Sequence, residues 1–481
     1  MAIVDLTRYD ALSLAELIRS RAISAEELLE VTIERIEALD PLLNAVVHKH
    51  FDLARKAVAD GLPDGPFKGV PFLVKNTGFE VKDMILSTGS ELHRNTVSSR
   101  DGTLAARYKA GGLVIVGKST TPEFALSFTT ESDAFGAAKN PWDLRRTPGG
   151  SSGGSTSAVA AGLVSVANSS DGAGSTRVPA SHCGLFGFKP SRMRNPLGPV
   201  AVEAIAGMSS PHVVSWSVRD SAALLDVSAG ADIGDPYAAP ALHGTFLSSL
   251  ANAPVGLRIG MTLASPTGTP VDPQVLAAVR DAAKNLEALG HHVEDVPDGA
   301  GYDGHALMKA WRIIAGVSVA TGIAFSQQPG GPDPIEKIEP VNQEWVREGR
   351  ARTGIEYMWA INQLHATARA LGRFFSQYDI LLSPASADLP PLLGDLSGRG
   401  KSLNNFFERF WHHAPFTAVF NASGCPAMSV PLAQSTEGLP IGIHLGAAFG
   451  NDSLLFALAA QLEQAWPWFD RRPPAPFGRV S

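Results

Sequence analysis

The sequence predicts an α/β fold with a mainly buried, mixed or parallel sheet, and three observations carry that expectation. Short β-branched runs recur along the chain: GVPFLVK at 69–75, GLVIVGK at 112–118, LVSVAN at 163–168, LRIGMT at 257–262, DILLSP at 379–384 and AMSVPL at 427–432. Helical stretches lie between them, and that alternation builds sheets covered by helices. With 481 residues, 44% hydrophobic and 18% charged, the chain has the apolar material for a large core. No internal repeat or sharp composition break appears, so one domain over 1–481 is expected. It divides into N-terminal helices (1–60), a core (about 65–230), a more variable region (about 235–400) and a C-terminal return to the core (401–481).

At the N-terminus the pattern reads as two helices, with Ser13 and Ser24 as N-caps. Glu27 completes a capping box with Ser24, and Leu28, Leu29, Thr32, Ile33 and Ile36 recur at helical spacing. This stretch lacks the basic region and apolar core of a signal peptide. No eighteen uninterrupted apolar residues occur anywhere, so no membrane span is expected. Asp272 and Pro273 open a further helix as N-cap and first residue, and Gly290 closes it after Leu289. Residues 234–255, 327–342 and 388–402, rich in Pro, Gly and Ser, read as surface loops or lids.

Lys+Arg 40 against Asp+Glu 47 gives a net charge of −7, and no basic block can neutralise a run of phosphates. Nucleic acid is therefore a poor partner, and a small uncharged molecule a better one. Cys183 and Cys425 are too few for a disulfide framework or a four-cysteine zinc site, as expected in a reducing cytoplasm. The adjacent pairs His291-His292 and His412-His413 lack ligand spacing, so neither a metal nor another cofactor is expected.

One stretch stands apart. TPGGSSGGSTS at 147–157 has four glycines and six hydroxyl-bearing residues in eleven positions. A flexible linker would continue into polar sequence, but this one runs into SAVAAGLVSVAN, a short helix and an apolar strand. Upstream, Gly112 to Ser119 fits the Walker A pattern, yet Leu113 to Val116 is a stiff strand rather than a phosphate cradle, which leaves Lys118 at a strand end. Gly149 to Gly153 fits the G-x-S-x-G nucleophile elbow, but it follows NPWDLRRTP, whose prolines suit no strand.

A second serine loop, SSDGAGSTRVPA at 169–180, follows an apolar strand directly. It supplies consecutive amides at Gly172, Ala173, Gly174 and Ser175, the recipe for an oxyanion hole with a serine at its end. Ser175 is then the natural nucleophile, although no local pattern sets a base beside it. Taken singly, Lys75 reads as a strand-end lysine, Ser151 as a turn residue and Ser175 as a helix cap.

Together, GVPFLVKN, TPGGSSGGSTSAVAAG and DGAGSTRVPASHCGLFGFKPS resemble the amidase signature family. The resemblance extends through GKSTTPEFA, FGAAKNPWD and GCPAMSVPLAQSTEGLPIGIHLGA, and is weakest between about 235 and 400. It implies a large mixed, mostly parallel central sheet with helices on both faces, and a Ser-Ser-Lys triad of Ser175, Ser151 and Lys75. It further implies a cis peptide bond on one side of Ser151, and structural roles for Asp171, Arg177, Gly150 and Ser152. One departure is Ala173, where many members have the first glycine of D-x-G-G-S.

The chemistry so implied is amide hydrolysis. Lys75, buried and biased towards its neutral amine, takes a proton through Ser151 from Ser175, which attacks the carbonyl to form an acyl-enzyme. Within the family, SSGGST, DGAGS, GLFGFKPSR and AWPWFDRRP look closest to the subgroup containing the aminohexanoate cyclic-dimer (nylon oligomer) hydrolases. Linear or cyclic amides, anilides and carbamates (a urethanase activity) all stay open as substrates. A silent subunit and a glutamine-amidotransferase subunit are the less favoured alternatives, and the oligomeric state, a homodimer included, is left open. The candidate pocket walls are Phe124 to Thr130, Trp311 to Val317, Tyr357 to Leu364 and Phe406 to Phe420, each equally readable as core.

Overall fold

The computed structural model describes residues 5–478 apart from residue 298. Its strands are β1 (Val46–Lys49), β2 (Pro71–Lys75), β3 (Val114–Ser119), β4 (Glu131–Ser132), β5 (Gly136–Ala137), β6 (Val166–Asp171), β7 (Phe186–Lys189), β8 (Ser210–Ser215), β9 (Arg258–Met261), β10 (His292–Asp295), β11 (Ile380–Pro384), β12 (Ala427–Gln434) and β13 (Pro440–Ala447). Apart from the β4–β5 ribbon they form one eleven-stranded sheet, in the order β1-β3-β2-β6-β8-β7-β12-β13-β11-β9-β10. Every apolar run singled out in the sequence carries a strand of this sheet.

The sheet is mixed, as expected, but parallel pairing is confined to its two flanks. β2 runs parallel to β3 and β6, and β9 to β10 and β11. The centre, from β6 through β8, β7, β12 and β13 to β11, is antiparallel throughout. "Mostly parallel" is therefore corrected. The physical reason lies in the connections: β12 and β13 are joined by residues 435–439, too few for the helical crossover that a parallel pair needs.

Alternation along β2 shows that both faces are covered. Leu73 packs among Leu29, Ile33 and Ile36 of the helix Ala25–Leu43 and Ala158 of the helix Gly153–Ala160. Its neighbours Phe72 and Val74 point to the opposite cluster, with Leu14, Leu104 and Leu224. The C-terminal half is covered by the helices Pro273–Ala288 and Asp452–Ala465, through Val279, Leu286, Leu455 and Leu462 on Met428 and Ile443.

Ser24 caps the helix Ala25–Leu43 with the full capping box, but the first helix, Ala11–Arg19, is capped by Asp10 rather than Ser13. Asp10 also binds Arg219, which in turn donates to the Ser13 hydroxyl, so Ser13 is used inside the first turn. The helix Pro273–Ala288 has Asp272 as N-cap. The supposed loops are partly helical, with Phe246–Ser249, Pro334–Lys337 and the start of Pro340–Ala351 inside them.

Among the described residues one helix, Gly304–Ser326, is long and apolar enough to cross a membrane by length and composition, although it holds no eighteen-residue unbroken apolar run. Lys309 and Arg312 interrupt it, so a test for an unbroken apolar run passes over it. Ala310, Trp311, Ile314 and Ile323 on this helix are buried in the core.

Gly446 in β13 lets the Phe420 ring lie directly on the strand, where a Cβ would collide with three ring carbons. Gly446→Ala is expected to cost about 1–3 kcal/mol by overpacking. Thermal unfolding should show a Tm lower by a few degrees; an unchanged Tm would refute this contact.

Candidate active site

Parallel pairing of β3, β2 and β6 brings their carboxyl ends to one edge of the sheet, where α/β folds gather ligand-binding groups. Lys75 is the last residue of β2, in register with Ser119 of β3, and Asp171 is the last of β6. Lys75 is 0% exposed. Its Nζ lies 2.8 Å from Ser151 Oγ, 3.0 Å from Ser170 Oγ and 3.4 Å from Ser170 O. Burial lowers its pKa to about 7, against the opposing attraction of Asp171, so neutral amine and ammonium are close in energy at neutral pH.

Ser151 is aimed by its loop. The Gly150–Ser151 peptide is cis, resolving which of its two bonds takes that form. A Cβ on Gly150 would strike the carbonyl oxygens of Ser127 and Thr129, so glycine is needed for the loop to pass there. Thr121 Oγ1 donates to Ser151 O at 3.0 Å, and Ser155 Oγ bridges Ser119 Oγ and Asn168 O at 2.7 Å each. Those bonds pin the start of the helix Gly153–Ala160 onto β3 and β6. The Walker-like Lys118 is buried within β3 and donates to Phe79 O at 2.6 Å, a structural use.

Ser152 ties the two serine loops together. Its N–H donates to Ser175 O at 3.2 Å, and its hydroxyl meets both Ser170 O and Ser170 N, at 3.2 and 3.3 Å. Ser175, 7% exposed, precedes the helix Arg177–Cys183, whose N-cap is Thr176. Among the described residues its hydroxyl has no protein hydrogen-bond partner, so Ser151 is joined to Lys75 and not, in this state, to Ser175.

Asp171 and Arg177 hold the loop between them. Both are fully buried, and the guanidinium meets the carboxylate through Nε at 2.9 Å and Nη2 at 2.8 Å. Burial alone pushes the Asp171 carboxyl up, but Arg177 more than reverses this and holds it well below the usual carboxylate range. The same carboxylate accepts from Gly174 N at 2.7 Å and Thr176 N at 3.1 Å. Arg177 also donates to Thr417 O, Asn421 Oδ1 and His444 Nε2. Burial and Arg177 keep His444 neutral, leaving its Nδ1–H for Ser383 Oγ at 3.0 Å.

Amide directions in this loop follow from where the carbonyls are held, because a trans peptide points its N–H opposite to its C=O. Asn421 Nδ2 donates to Asp171 O at 2.8 Å, and Trp311 Nε1 to Gly172 O at 3.1 Å. Thr417 Oγ1 donates to Ala173 O, and Val178 N to Gly174 O at 2.8 Å. Of the four amides expected to face an oxyanion, that of Gly174 is turned to Asp171 and drops out. Those of Gly172, Ala173 and Ser175 have no protein acceptor among the described residues and are free to bind one.

Sequence reasoning gave no role to Thr417, Asn421, His444 or Ser170, because no local pattern fixes the partners they meet here. It also missed Ile205, whose Cδ1 lies where a side chain on Gly172 would be. The four expected wall segments do converge, giving Phe128, Trp311, Leu364, Phe406 and Phe410 to one apolar cluster with Ala173. The paired histidines are used separately: His413 Nδ1 lies 3.1 Å from Asp388 Oδ2, and His291 accepts from Leu257 N.

Comparison with known proteins gives matches over nearly the whole chain. Residues 27–456 match the family described as Amidase. The chain is 37% identical to the 6-aminohexanoate-cyclic-dimer hydrolase of Paenarthrobacter ureafaciens over 493 residues, covering 98% of each. A solved structure of 6-aminohexanoate cyclic dimer hydrolase complexed with substrate superposes with a TM-score of 0.90 at 36% identity, over 98% of this chain and 99% of that one. A bacterial aryl acylamidase of the amidase signature enzymes superposes at 0.89 with 27% identity, over 98% and 99%.

Arg177→Met is expected to leave Asp171 buried without its counter-charge, at a cost of about 3–5 kcal/mol. Thermal unfolding should report a clear fall in Tm; a Tm equal to the parent's would contradict the role given to this pair.

Proposed function

The chain belongs to the amidase signature family and is a hydrolase, and from that premise we propose that it cleaves the C–N bond of small uncharged amides through an acyl-enzyme on Ser175. The observation that carries this reading is the fully buried Lys75, 2.8 Å from Ser151 Oγ, with its pKa brought down to about 7. A lysine in that state is a base at neutral pH, where a solvated one is not.

In this reading substrate closes the gap between the two serines. Ser151 takes the proton of Ser175 and passes its own to Lys75 as Ser175 Oγ attacks the carbonyl carbon. Charge then develops on the carbonyl oxygen, which the amides of Gly172, Ala173 and Ser175 are placed to receive; one such donor contributes about 3–4 kcal/mol. Ser151 returns a proton to the leaving nitrogen, the C–N bond breaks, and water cleaves the ester by the reverse relay. The surroundings favour an uncharged substrate, since Ala173 lies in a cluster with Phe128, Met208 and Trp311, and Ile205 covers Gly172. A cyclic aminohexanoate amide heads the candidates, because relatives of similar length are named 6-aminohexanoate-cyclic-dimer hydrolase, with linear nylon-type oligomers behind it. Anilides and carbamates present the same carbonyl to Ser175 and form the comparison arms of a substrate panel.

Lys75→Ala is expected to lower kcat by about four orders of magnitude with the circular dichroism spectrum unchanged. A variant retaining near-parental kcat would refute the relay. A fluorophosphonate should modify Ser175 in the parent, and absence of that adduct would remove the nucleophile assignment. Because the base must be neutral, kcat/KM should rise with pH through about 7 and then level off. A profile flat from pH 5 to 9 would contradict Lys75 as the base.

A further inference from the structure

We propose that Trp311 is a positioning residue for amide cleavage, holding the Ala173 N–H in its oxyanion-binding direction from outside the catalytic loop. This rests on the reading of Ser175 as nucleophile. The observation is the 3.1 Å bond from Trp311 Nε1 to Gly172 O. Gly172 and Ala173 share one trans peptide, so the bond that fixes this carbonyl turns the Ala173 N–H the opposite way.

Each of the loop's other peptides is fixed from the catalytic core or its C-terminal return. Asn421 holds the carbonyl of Asp171, Thr417 that of Ala173, and the helix amide Val178 N that of Gly174. The Gly172–Ala173 peptide alone among these is held by a side chain of the helix Gly304–Ser326. Without the indole donor nothing described here fixes that peptide, and a flipped plane would aim a carbonyl, not an N–H, at the developing negative charge.

Trp311 is itself held. The residue is 4% exposed, and its ring lies 5.3 Å from that of Phe410 and 6.1 Å from that of Phe407, both on the helix Leu403–His413. Phe410 in turn stacks on Phe128 at 4.3 Å, so the indole is fixed within one buried aromatic cluster. A donor that meets the carbonyl oxygen only as charge develops on it acts on kcat rather than on KM.

The test compares the parent with Trp311→Phe, which keeps a buried ring and removes the donor, on the amide the substrate panel identifies. The expected result is a fall in kcat of about 10- to 100-fold with KM within about threefold, and an unchanged midpoint in the pH profile. Affinity for phenylboronic acid, whose tetrahedral adduct on a serine places an oxygen among the same amides, should fall in parallel. A kcat within twofold of the parent overturns the proposal. So does a loss confined to KM, or a shifted pH midpoint, which would place Trp311 on the Lys75 relay. If Trp311→Phe does not fold, site-specific replacement by benzothienylalanine, a near-isostere without the N–H, carries the same comparison. Fluorophosphonate labelling of the parent separates the two readings. With no adduct the nucleophile assignment fails, whereas an adduct together with parental kcat in the variant overturns the role of Trp311 alone.

Discussion

The buried ion pair between Asp171 and Arg177 is the interaction on which the site's geometry depends. Two charges without solvent persist only where every lone pair and proton is used, and here they are. The carboxylate gathers the amides of Gly174 and Thr176, and the guanidinium reaches Thr417 O, Asn421 and His444. The pair thereby joins the end of β6, the helix that begins behind Ser175, the helix Ala418–Ser423 and β13. Its most direct effect on chemistry is negative: by capturing the Gly174 amide it decides which amides of the loop stay free.

Burial acts in opposite senses on the two charged groups of the site. At Asp171 it is overcome by Arg177, and the carboxyl stays ionised. At Lys75 it prevails, because Asp171 is a distant attraction already bound to its own partner, and the amine is released near neutral pH. The same desolvation thus leaves one group a fixed charge and brings the other to titrate near neutral pH.

Much of this was legible in the sequence. The strands at 69–75, 112–118 and 163–168 and the Ser24–Glu27 capping box declared themselves through β-branched runs and a local hydrogen-bonding pattern. Lys75, Ser151 and Ser175, at their separations along the chain, were recognisable as a set, although each alone reads as ordinary. The antiparallel centre of the sheet was not visible, since β7, β8 and β13 carry no signal of direction. Nor were Thr417, Asn421 and His444, whose roles come from meeting a loop some 240 residues or more away in sequence.

By itself, then, the sequence determined which residue types were available and in what order, because local pattern and spacing are written into the chain. Tertiary structure decided their states. Lys75 has its pKa brought down to about 7 only where folding strips it of water, Ser151 faces it only where the loop at Gly150 threads between backbone carbonyls, and Gly174 gives its amide to Asp171. Such properties depend on distance and burial between segments far apart in the chain, which no local reading of residues contains.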